Sequence, residues 1–175
     1  FAPVKVGKLS EGGALVHAGG LGEQWLGGPV PGAGTVFRIA SMTKSFTAAA
    51  VLLLRDEGAL ALDDPAGKYV PQVASMRLAS PDSPAITIRN LLTMTAGFPT
   101  DDPWGDRQQG LPLDSFDQIL AGGLSVSWAP GTLFEYSNLS YAVLGRVITA
   151  VTGTPYSDFV SSRLLTPLGM TATGY

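Results

Sequence analysis

Ser41-Met42-Thr43-Lys44 and, far downstream, Tyr136-Ser137-Asn138 bring together the residue types that an acyl transfer needs. A serine hydroxyl is a weak nucleophile at neutral pH and needs a base within hydrogen-bond reach; a lysine three residues along the same helix can supply one. A tyrosine phenol can serve the same proton, and an asparagine can hold an amide or an ammonium. At this composition chance alone yields about 0.3 Ser-x-x-Lys and about 0.06 Tyr-x-Asn matches, so each motif is weak by itself and the ordered pair is more specific. Ser41 also falls where a strand pattern gives way to a helical one, where the helix dipole favours developing negative charge.

The elements that must position these groups are readable in outline. Gly13 to Ala18 predicts a short strand, and after the glycine-broken stretch Gly19 to Gly34 a second is predicted at Thr35-Val36-Phe37-Arg38. From Ser41 to Glu57 the apolar spacing of Phe46, Ala49, Ala50, Leu53 and Leu54 is helical, with Gly58 placed to cap it; residues 48 to 54 are apolar all round, which predicts a buried helix. Thr87 is placed to cap a helix running through Met94, ended by Gly97 and Pro99, and Asp114 to cap another through Ala121. Leu139 to Thr152 is strongly helical and stops at Gly153, and Pro155 opens a further helix to about Leu165. The expectation is an α+β chain of two strands followed mostly by helices.

Composition excludes several alternatives. The chain has 175 residues, 45% of them apolar and 14% charged, enough to bury a core and too apolar for general disorder. A formal charge of −3, with four lysines and seven scattered arginines, offers no basic stripe, so nucleic acid is not an expected partner. The absence of cysteine removes disulfides, thiolate metal sites and cysteine nucleophiles together. The longest apolar run, Ala48 to Leu54, is far too short to span a bilayer, and Phe1 to Lys5 lacks the basic-then-apolar order of a signal peptide.

With these motifs in view, the chain resembles the serine β-lactamase and penicillin-binding protein family, in particular its class C-like esterase and D-aminopeptidase branch. The resemblance rests on Phe37 to Lys44, Gly58 to Pro65, Leu91 to Gly97, Tyr136 to Asn138 and Leu164 to Met170, in family order. It implies a β-lactamase/transpeptidase-like α/β (α+β) fold, an antiparallel sheet with a helical subdomain. It also implies a nucleophilic Ser41, Lys44 and Tyr136 handling the proton, and Asn138 contacting the substrate amide and the lysine. Desolvation beside the apolar helix would lower the Lys44 pKa, and an ammonium near the Tyr136 phenol would ease its ionisation; either group could then be the base. The expected reaction is hydrolysis of a small-molecule ester, amide or peptide through an acyl-enzyme, with no metal and no organic cofactor. Family members occur both outside the inner membrane and in the cytoplasm, so no compartment is implied.

One part of the family pattern is missing. Its third motif, Lys or His followed by Ser/Thr and Gly, has no match after Tyr136, and residues 1 to 12 hardly contain the family's opening helix. The expectation is therefore a single partial domain over 1–175, with first sheet strands in 1–40 and the nucleophile helix and helical subdomain in 41–175. A remaining C-terminal segment or second chain would complete the sheet and lend an oxyanion N–H, and residues 1–175 alone would not turn over. Two other classes compete: a penicillin-binding or sensor domain that is acylated without turnover, and a structural helical domain in which Ser41 is only a cap. The single histidine, His17, is read as packing or surface, and Asp101, Asp102, Trp104, Asp106 and Arg107 as a loop that either lines a cleft or is simply solvated. Asp63-Asp64 before Pro65 reads as a turn, and Trp128 to Gly131 as the turn before the tyrosine motif, with Phe134 packed behind Tyr136.

Overall fold

The computed structural model describes residues 36–100 and 111–175. The predicted strand at 13–18, His17 and the loop residues Asp101 to Arg107 lie outside them. The chain divides into two compact units, Phe1–Ile39 and Ala40–Tyr175, and the second carries all the regular structure described below. Val36 to Ile39 form no strand, and among the described residues no ladder forms; two isolated bridges, Pro65 with Thr87 and Arg77 with Ser125, are the only β pairings.

Among the described residues six α-helices build the second unit: α1 (Thr43–Asp56), α2 (Pro71–Ala74), α3 (Ile88–Leu92), α4 (Leu113–Ala121), α5 (Asn138–Thr152) and α6 (Tyr156–Val160). A 3₁₀ turn, Ala40–Met42, leads into α1, and a π-helical turn, Ser161–Leu165, extends α6. Helix α5 is the centre of the packing. Its stripe Val143, Leu144, Val147 and Ile148 is wholly buried, and Ala50, Val51 and Leu54 of α1, Ile88 and Leu91 of α3, and Phe159 and Val160 of α6 are buried in the same core. Fully burying an aliphatic side chain contributes about 1.5–3 kcal/mol, so the apolar stripes hold the helices together.

The ends of these helices follow from particular residues. At the end of α1, Gly58 takes a left-handed φ of 73°, Ala59 N–H donates to the Leu54 carbonyl at 2.9 Å and Gly58 N–H to Arg55 at 2.9 Å, the paired closure that glycine makes possible. Gly153 ends α5 in the same left-handed conformation, φ 67°. Thr87 does cap α3: its hydroxyl accepts from Asn90 N–H, and the Asn90 side chain accepts from Thr87 N–H in return. That helix stops at Leu92, because Met94 turns left-handed at φ 56°, earlier than Gly97 and Pro99 would have ended it. Asp114 lies in the first turn of α4 and Pro112 holds the cap position, so the aspartate meets the helix dipole without capping it.

Helix α1 is buried on one stripe, not all round. Thr47, Ala50, Val51 and Leu54 are buried, whereas Ala49 is exposed, since α5 and α6 pack on one side only among the described residues. Asp63-Asp64 do form a turn, with Asp64 N–H donating to Ala61 at 3.1 Å. None of the helices among the described residues is long and apolar enough to cross a membrane.

Candidate active site

The chain enters the site through Ala40, whose φ of 44° is left-handed without a glycine. Such a conformation costs on the order of 1 kcal/mol and persists where surrounding structure enforces it. It turns the backbone into the 3₁₀ turn that holds Ser41. In a 3₁₀ turn, residues three apart eclipse, so Lys44 at the start of α1 stands over Ser41. Lys44 Nζ accordingly donates to Ser41 Oγ at 3.0 Å.

The second half of the site comes from the segment that precedes α5. Ser137 is extended, φ −139° and ψ 118°, so its neighbours Tyr136 and Asn138 project to one side and Ser137 to the other. The Ser137 hydroxyl is buried, where it accepts from Ser140 N–H at 3.1 Å and caps α5. Tyr136 and Asn138 meet Lys44: Nζ donates to Tyr136 Oη at 2.8 Å and to Asn138 Oδ1 at 2.6 Å. Tyr136 Oη also lies 2.5 Å from Ser41 Oγ, so one of these two oxygens donates to the other. All four residues singled out by motif, Ser41, Lys44, Tyr136 and Asn138, are thus in one hydrogen-bonded cluster.

Behind the cluster, the segment after α3 aligns the Tyr136 segment. Glu135 N–H donates to the Met94 carbonyl at 3.0 Å, Gly131 N–H to Thr95 at 2.7 Å, and Ser127 N–H to Gly97 at 2.8 Å. Gly97 is required here: its φ is 88°, and a Cβ would lie 2.0 Å from the Trp128 carbonyl oxygen. The turn at Trp128 to Gly131 forms as expected, with Thr132 Oγ1 donating to the Ala129 carbonyl at 2.6 Å. Phe134 does not pack behind Tyr136; it is 62% exposed.

Three contributors escaped the motif analysis. Tyr141, on the first turn of α5, places its ring centroid 5.8 Å from Lys44 Nζ, against 4.8 Å for Tyr136. Its spacing of three from Asn138 was the available signal. Thr47, one turn beyond Lys44, is buried and shares a 2.7 Å hydrogen bond with Tyr156 Oη, which ties α1 to α6. Asn90 links Thr87 and Thr95, and so braces the strap that carries Met94. Among the described residues no group of three His, Cys, Asp or Glu could hold a metal ion.

The beta-lactamase family profile matches residues 9–175. The protein named flp of Staphylococcus aureus (strain COL) is 36% identical over 143 residues, which cover 81% of this chain and 28% of that one. The crystal structure of a beta-lactamase/D-alanine carboxypeptidase from Yersinia pestis superposes with a TM-score of 0.69 at 31% identity, over 81% of this chain and 41% of that chain. A D-amino acid amidase from Ochrobactrum anthropi SV3 gives 0.58 at 31% identity, over 77% and 37%. The chain therefore spans well under half the length of these relatives, and its fold is β-lactamase/transpeptidase-like. The chain belongs to the beta-lactamase family.

Proposed function

We propose that this chain carries the nucleophile half of a serine hydrolase that acts on an ester, amide or peptide through an acyl-enzyme. The observation that carries the reading is the Ser41–Tyr136–Lys44–Asn138 cluster, in which the serine oxygen has both a phenol at 2.5 Å and an amine at 3.0 Å. Lys44 Nζ donates to three acceptors, the number an ammonium can serve. Tyr136 Oη, the partner of Ser41 Oγ at 2.5 Å, is taken as the base in this reading.

In this mechanism Ser41 Oγ attacks the substrate carbonyl carbon while its proton passes to a Tyr136 phenolate, whose charge the Lys44 ammonium balances. The carbonyl π pair becomes an oxyanion, and the Ser41 backbone N–H, in the 3₁₀ turn that leads into α1, is our candidate donor to it. Collapse breaks the bond to the leaving group, and the proton on Tyr136 departs with it. Water then attacks the acyl carbon, gives its proton to Tyr136, and the proton returns to Ser41 Oγ as the acid leaves. Asn138 fixes Lys44 and presents its amide group to substrate.

The domain is read as one unit, with sheet strands in 1–40 and the helical portion in 41–175, completed by a further C-terminal segment or a second chain that lends another oxyanion donor. The short span relative to the family's longer members supports this. Residues 1–175 alone are then expected to hydrolyse nothing. Substrates of the kinds named for the neighbours, D-alanyl peptides and D-amino acid amides, are the first to try.

Intact-mass spectrometry of the full-length protein with a fluorophosphonate tests the reading. One adduct on the native protein and none on Ser41→Ala is the expected result; an unmodified native protein overturns it. An adduct from a β-lactam that persists for hours, with no product released, would assign a sensor instead of an enzyme.

A further inference from the structure

We infer that Tyr141 is a positioning residue, whose ring face holds Lys44 as an ammonium against Tyr136 and Asn138. The inference rests on the acyl-enzyme reading above and goes beyond its four residues. The three N–H bonds of Lys44 are spent on Ser41, Tyr136 and Asn138, so Tyr141 offers Nζ no hydrogen bond. It offers a π face instead: Nζ lies over the ring at 5.8 Å from its centroid, within the range where a cation is attracted by the ring quadrupole.

The ring is held in place at its far end. Tyr141 Oη donates to the Leu92 carbonyl at 3.0 Å, at the C-terminal end of α3, while its backbone belongs to α5. The side chain therefore bridges two helices with its face fixed. Burial, and then the neighbouring charge of Tyr136, push the Tyr141 phenol up, so it stays a neutral donor and does not compete as a base. Lys44 thus lies over two rings, Tyr136 and Tyr141, of which only Tyr136 bonds it through its oxygen.

The division of labour within Tyr141 makes the inference testable. In the full-length protein, Tyr141→Phe keeps the ring and loses the tether to Leu92; fluorinated phenylalanines at the same position keep the shape and drain the quadrupole. We expect Tyr141→Phe to retain the saturating rate constant for fluorophosphonate labelling within about threefold, and successive fluorination to lower it progressively by about tenfold. The half-saturating reagent concentration and Tm should stay near those of Tyr141→Phe. A labelling rate that is flat across the fluorinated series overturns the inference, as does a full loss already at Tyr141→Phe, which would assign the effect to the tether. A native protein that labels nowhere would instead sink the acyl-enzyme reading itself, and Tyr141's role with it.

Discussion

Two lysine–tyrosine pairs in this molecule have nearly the same geometry and different company. Lys44 Nζ lies 4.8 Å from the Tyr136 ring centroid, and Lys68 Nζ lies 5.0 Å from that of Tyr69. The second pair has a carboxylate: Asp64 Oδ2 accepts from Tyr69 Oη at 2.5 Å, from Lys68 Nζ at 3.0 Å and from Ala61 N–H at 3.0 Å. Those donors, Tyr69 first, hold the Asp64 carboxyl down at about 2. Burial first and then the bond to Asp64 push the Tyr69 phenol up, so that it can only donate. In the first pair the third and fourth partners are a hydroxyl and an amide, Ser41 and Asn138. The phenol there is free to accept. On the proposed acyl-transfer reading, the carboxylate makes the Lys68–Tyr69 pair structural, and a hydroxyl in its place leaves the Lys44–Tyr136 pair to move a proton.

Removing each lysine should expose that difference at its largest. Lys44→Met should slow fluorophosphonate labelling of Ser41 about 10³-fold, the order expected when a preorganised donor that balances charge at the reacting group is lost. Lys68→Met should leave labelling within about twofold, since its contacts are with Asp64 and Tyr69. Equal losses in the two variants would erase the distinction between the pairs.

Asn138→Ala sharpens the comparison at smaller scale. It deletes the 2.6 Å acceptor of Lys44 and leaves the Tyr136 and Ser41 contacts in place. Losing an uncharged acceptor to an ammonium is worth about 1.5–3 kcal/mol, so the acylation rate constant should fall roughly 10- to 100-fold. Stopped-flow acylation by a chromogenic ester is the measurement, and a wild-type rate would remove Asn138 from the site.

The helical half of this architecture was legible because periodicity and glycine caps are local signals. Leu139 to Thr152, Gly58 and Gly153 all stand where the spacing put them. The motif residues converge because two short-range geometries, the 3₁₀ turn at Ser41 and the extended Ser137, each aim a pair of side chains. What escaped prediction depends on tertiary enforcement. Ala40 and Met94 take left-handed φ without being glycine, which no propensity signals. The π-helical turn after α6, with Thr166 N–H donating to Ser161 at 2.9 Å, has no sequence signature either. Tyr141 belongs to neither motif, and its two contacts come from segments 49 and 97 residues away.

The structural pair should reveal itself in the acid limb of stability, where the other pair should not. Asp64 has a folded-state pKa of about 2 against an ordinary 3.8, a depressed value, so its contribution is fully present above the ordinary value and is lost as pH falls from 3.8 towards 2. Asp63, lowered by its hydrogen bonds from Arg89, adds a smaller share in the same direction. Asp64→Asn should therefore lower Tm by a few degrees at pH 6 and by less at pH 2, where the native carboxyl is itself being protonated. Thermal unfolding followed by circular dichroism between pH 6 and pH 2 measures both arms. Lys68→Met should move Tm less than Asp64→Asn, because Ala61 and Tyr69 still hold the carboxylate and an exposed ion pair adds little. If the two variants destabilise equally at pH 6, the lysine and not the phenol anchors Asp64. Its likeness to the Lys44–Tyr136 pair would then extend to which member of the pair does the holding.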